Sequence, residues 1–120
     1  MRVTTTIKIS TYSCQAILIV TDQIKLEAEK IYKKYKIKLA EDDGENEGLL
    51  ISLNIDKYYL LIDFKYLSHN TIAHEIYHAA VRVTEDRGVT DEEAQAWVCG
   101  HITGSTYKFL SKKNIPIKHG

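Results

Sequence analysis

Two histidines stand four residues apart in the string TIAHEIYHAAVRV, His74 and His78, and Glu75 follows directly after the first. On a helix this spacing puts both imidazoles on one face, a turn apart, with their ring nitrogens converging on one point. Zinc takes nitrogen, sulfur or carboxylate ligands in a tetrahedron, with nitrogen at about 2.0–2.1 Å. A glutamate beside the first ligand can take a proton from zinc-bound water, whose pKa the ion lowers to about 7. The expected chemistry is hydrolysis, with Zn2+ as cofactor, His74 and His78 as metal ligands and Glu75 as general base. The competing reading is an amphipathic helix carrying two solvated histidines. Five histidines in 120 residues leave room for that coincidence.

At about 100° per residue, Ile72, Ile76, Ala79, Ala80 and Val83 share one narrow face, which should pack on a sheet. His74 and His78 fall nearly opposite, with Glu75 beside them. A metal site there needs a third protein ligand, and TDEEAQAWVCGHITGSTYKFL offers Asp91, Glu92, Glu93 and His101. The expected apolar stripe of this last helix is Ala94, Val98, Ile102, Ser105 and Phe109. Asp91 lies near that stripe but at a frayed end, Glu92 points to solvent, and His101 reads as a packed histidine. Glu93 lies on a flank with Trp97, Gly100 and Gly104. Glycine costs about 1 kcal/mol inside a helix, so two of them one turn apart suggest close approach to a neighbouring backbone. That favours Glu93. The same residue completes a capping box with Thr90, in which its carboxylate would bond the Thr90 N–H, and the residues leave both roles open.

The elements that must position these groups follow from periodicity. Val3, Thr5, Ile7 and Ile9 alternate with polar residues, so residues 3–9 read as a half-buried strand. Residues 14–20 are a second strand, followed by a helix to about Tyr35 with Thr21 or Asp22 as cap. Residues 41–48 read as an acidic loop. Residues 49–55 and 58–64 read as a hairpin across the Asp56-Lys57 link. The histidine helix spans about 71–85, capped by Ser68 or Asn70 and broken at Gly88. Thr90 opens the last helix, to about Leu110. The order β-β-α-β-β-α-α predicts one α+β domain over residues 1–120, a four-stranded, largely antiparallel sheet with helices packed on one face.

Lys plus Arg and Asp plus Glu are both 16, for a formal net charge of zero. A nucleic-acid partner would call for a basic excess. The lysines around residues 30–38 and the acids after them read as a solvated helix end and loop, and the acidic stretch lacks EF-hand spacing. The run Ala16 to Val20 is far too short to span a bilayer. The N-terminus does not read as a secretory signal, and Cys14 and Cys99 form no disulfide framework or zinc-ligand spacing. The expectation is a cytoplasmic protein with two thiols, no nucleic-acid or membrane partner, and an oligomeric state that nothing in the sequence decides.

HEIYH followed by EAQAWV resembles the gluzincin pattern, an HExxH helix and a glutamate on a following helix. More closely it resembles ImmA/IrrE-type peptidases, whose second motif is Glu-Ala-Asn-x-aromatic, here Glu93-Ala94-Gln95-Ala96-Trp97. It is also similar to small phage or mobile-element metallopeptidase-like proteins, from about Ala16 onward. The resemblance implies a minimal zincin-like metallopeptidase domain, with His74, His78 and Glu93 on zinc and Glu75 as base. Zinc-bound water would then hydrolyse a bond in a peptide or protein substrate. It also implies a sheet edge that holds an extended peptide, for which residues 58–64 are the expected strand. Only 27 residues follow Glu93, where larger gluzincins place a subdomain with a transition-state Tyr or His. His69, Tyr77, His101 and Tyr107 are the available substitutes. The alternative is a catalytically weak or inactive zincin-fold module with a binding or regulatory role.

Overall fold

The computed structural model describes residues 1–36 and 47–120. The expected acidic loop, apart from Glu47 and Gly48, lies outside them. Alternating β-branched residues form β1 (Arg2–Ile9), which turns through Ser13, in the left-handed region at φ 53°, into β2 (Cys14–Thr21). Helix α1 (Ile24–Lys34) follows, then β3 (Gly48–Ser52), β4 (Lys57–Asp63), α2 (His69–Glu85) and α3 (Glu92–Lys112). The sheet order is β1-β2-β4-β3. β1 with β2 and β3 with β4 are antiparallel, whereas β2 and β4 are parallel, so the sheet is mixed. Parallel neighbours need a crossover connection, and here it comprises α1, residues 35–47 and β3.

The α+β class is as expected, but the helices are not all on one face. Ala16, Leu18 and Val20 of β2 and Tyr58, Leu60 and Ile62 of β4 join Ile72, Ile76, Val98 and Ile102 in one apolar layer with α2 and α3. Ile19, Tyr59, Leu61 and Ile51 point the other way and pack against Ile24, Ala28 and Ile31 of α1. Both central strands are continuous apolar runs, and such runs need cover on both faces. Burying Glu27 on the α1 side is made tolerable by its pairing with Arg2 Nε.

The caps follow local chemistry. Ser68 Oγ accepts the Thr71 N–H at 3.1 Å and starts α2. Asp91, not Thr90, starts α3 by accepting the Glu93 N–H. No side chain caps α1, whose N-cap residue is Gln23 rather than Thr21 or Asp22. Gly88 stands at φ 69° just beyond α2, where the expected break requires a left-handed residue.

The C-terminal end of α2 is fastened to the sheet through Arg87. Its guanidinium donates to the carbonyls of Tyr12 at 3.1 Å and Ile55 at 2.6 Å and to the Tyr58 hydroxyl at 2.9 Å. Tyr58 in turn donates to Asp86 Oδ2 at 2.7 Å. Burial, reinforced by the Asp86 hydrogen bond and opposed by Arg87, pushes the Tyr58 hydroxyl up to about 12. An unfolded tyrosine ionises near 10. The stability carried by this raised group is therefore complete below pH ~10 and lost as pH climbs through about 12. Tyr58→Phe should cost about 1–3 kcal/mol at neutral pH, from the orphaned partners. The gap to wild type should narrow in urea unfolding between pH ~10 and ~12, because only wild type loses the Tyr58 contribution there. A gap that stays constant over that range contradicts the assignment.

Candidate active site

Helix α2 separates its faces as its periodicity requires. Ile72, Ile76, Ala79, Ala80 and Val83 are at most 1% exposed against the sheet. His74 and His78 are exposed on the opposite side, their rings edge to face with centroids 4.6 Å apart. Their Nε2 atoms are 3.1 Å apart. Two nitrogens at zinc-ligand distance from one ion, in tetrahedral directions, stand about 3.3 Å apart. The pair therefore has the spacing of two ligands of one metal, and also that of two neutral rings sharing one N–H.

Glu75 is turned from the histidines into the protein, toward β3, and is 7% exposed. Its Oε2 lies 3.9 Å from His74 Nε2. Burial pushes its carboxyl pKa up, against the lowering effect of His74 and His78. A carboxylate made more basic in this way is a better proton acceptor near neutral pH. Room for it comes from Gly48, the first residue of β3. A Cβ at position 48 would lie 2.6 Å from Glu75 Cγ and 2.9 Å from Cδ. Glu47 fixes this corner: its carbonyl accepts the Asp63 N–H at 2.9 Å and its carboxylate the Thr71 hydroxyl at 3.3 Å. From its neighbours in sequence Gly48 reads as the end of the acidic loop, yet a glycine opening a strand is also a sign of close backbone approach.

Two adjoining depressions flank Glu75 between β3 and α2. Glu47, Asn70 and Thr71 line the one toward the start of α2. Leu49, Leu50, His78, Arg82 and Glu85 line the one toward its end. Gly48, His74 and Glu75 belong to both. The strand along this cleft is β3, an edge strand. The expected strand, β4, pairs on both sides, with β2 and β3, and has no free edge to offer.

Glu93 is not brought to the histidines. It is exposed on the first turn of α3, with its N–H on Asp91 Oδ1 at 3.1 Å. The buried stripe of α3 is Val98, Ile102, Thr106 and Leu110. With that stripe inward, Glu92, Gln95, Ala96 and Cys99 line the groove against Tyr77, Ala80 and Val81. The flank of Gly100 and Gly104 faces open space: a Cβ at either meets nothing within 4 Å. The close approach expected there is absent, and among the described residues the glycine wedged against the site is Gly48. Among the described residues, no three His, Cys, Asp or Glu side chains converge as metal ligands. The donor set thus fits zinc at two positions, His74 and His78.

The other histidines serve elsewhere. His101 Nε2 is 2.7 Å from the Lys8 carbonyl, and its ring stacks on Trp97. His69 Nδ1 is 2.7 Å from the Tyr107 hydroxyl. Tyr77 lies in the groove between α2 and α3. None of His69, Tyr77, His101 or Tyr107 lines the cleft beside Glu75. Cys14 and Cys99 are free thiols, the first buried, and no described helix is long and apolar enough to cross a membrane. Comparison with known proteins finds no matching family model, no characterised relative and no solved structure that resembles this chain.

The Gly48–Glu75 contact predicts a coupled pair. Gly48→Ala should destabilise the fold by about 1–3 kcal/mol, the usual range for an overpacked site. In a Glu75→Ala background, where Cγ and the carboxyl are gone, most of that cost should vanish. Equal costs in both backgrounds, measured by chemical denaturation, contradict the contact.

Proposed function

We propose that the cleft between β3 and α2 is a zinc-dependent metallopeptidase site on a small zincin-like fold. The observation that carries this reading is the 3.1 Å separation of His74 and His78 Nε2 beside a buried glutamate. His74 and His78 would hold the ion. When bound, zinc supplies Lewis acidity, polarising a carbonyl and acidifying water. Glu75 takes the proton of the attacking water and passes it to the leaving amine. Its raised proton affinity and its place beside His74 suit both steps. An extended peptide is the proposed substrate, since among the described residues no strand pairs with the outer edge of β3 beside the histidines.

Glu93 remains the proposed third ligand on the strength of the EAQAW resemblance alone, and reaching the histidines requires the first turn of α3 to move. The two-donor arrangement favours a second reading, a zincin-like binding or regulatory module without hydrolysis. Two measurements separate the readings. Zinc at about 100 times its Kd should stabilise wild type by about 2.7 kcal/mol and leave His78→Ala unshifted. Peptide hydrolysis by the zinc-loaded protein should fall by about 10²–10⁴-fold in Glu75→Gln. Zinc stabilisation without hydrolysis selects the binding module. Hydrolysis that survives Glu75→Gln rules out the assigned base, and equal zinc response in wild type and His78→Ala rules out the metal site.

A further inference from the structure

Arg82 stands in the cleft with no ion-pair partner among the described residues. It is exposed, and it lines the same depression as His74, Glu75 and His78. At about 100° per residue, Arg82 falls between His78 and Glu75 when α2 is viewed down its axis, on the side turned toward β3. Glu85 lines the same depression but falls nearer the line of His74 and His78, away from the strand. A chain lying along the outer edge of β3 would therefore pass His78 and then meet a guanidinium.

We infer that Arg82 determines specificity in this cleft by docking a carboxylate of an extended peptide held along β3. This rests on the peptide reading of the site. Arginine presents a planar fork of donors that matches a carboxylate bidentately, and a lysine in the same place would meet like charge. Arg82 lies four residues beyond His78, about 6 Å along the helix axis. An extended chain advances about 3.3 Å per residue. The recognised carboxylate thus sits about two residues from the point of the peptide opposite His78. An aspartate or glutamate side chain supplies it, or the C-terminal carboxylate of the peptide.

The experiment measures binding of fluorescent peptides to the zinc-loaded Glu75→Gln protein at low salt. End-blocked peptides carry Asp, Ser or Lys at each position in turn, and a parallel set has a free C-terminus. The expected result is an affinity for the carboxylate-bearing peptide about tenfold above its lysine counterpart, or above its blocked-end counterpart, a difference of about 1.4 kcal/mol. Preference in the blocked set assigns a side chain, and preference confined to free ends assigns the chain terminus. Arg82→Glu should reverse the preference. Equal affinities throughout, or a preference that survives Arg82→Glu, overturn the inference. Cleavage by the Glu75-containing protein is followed in parallel. Cleavage without charge preference removes the role of Arg82 and leaves the peptidase. Charge-selective binding without cleavage removes the peptidase and leaves Arg82. Neither binding nor cleavage overturns both.

Discussion

A buried carboxylate against a glycine sets the geometry of this protein. Glu75 lies between α2 and β3, and its side-chain carbons occupy the space a Cβ at position 48 would take. The contact fixes how closely the helix approaches the edge strand. Because Glu75 points into that seam, the residues before and three beyond it, His74 and His78, are left at the mouth of the cleft. Burying a carboxylate costs free energy that surrounding polar groups must offset. Here the neighbouring histidines supply part of that offset, by favouring the charged form.

The rest of the fold holds this seam in place. The core face of α2 is sealed against β2 and β4. Its start is capped by Ser68. Its end is tied down by Arg87 and Tyr58. β3 is held in register by β4 from Gly48↔Ile62 to Ser52↔Tyr58, and among the described residues no strand pairs with its other edge. A helix and an edge strand thus face each other across a charged cleft, with Glu47 toward one end and Arg82 toward the other.

Much of this was legible in the sequence. The strands, the helices and the Ser68 cap follow from periodicity and local hydrogen-bonding chemistry, and the two faces of α2 from simple angles. What was not legible depends on pairing between distant segments. Nothing local in residues 58–64 says that they run parallel to β2 and so become a central strand. The apolar runs of β2 and β4 do carry the signal that both faces are covered, which places α1 opposite α2 and α3. Gly100 and Gly104 suggest close packing on one flank of α3, but the buried positions Val98, Ile102, Thr106 and Leu110 turn that flank outward. The same physical argument holds at Gly48, where the near neighbour is a side chain more than twenty residues away in sequence.

The central claim is that His74 and His78 act together as metal ligands. Zinc K-edge X-ray absorption on the zinc-loaded protein tests it most directly. Two imidazole nitrogens at about 2.0–2.1 Å are predicted in wild type, and one or none in His78→Ala. A wild-type spectrum showing oxygen donors alone, or one unchanged by His78→Ala, contradicts the account.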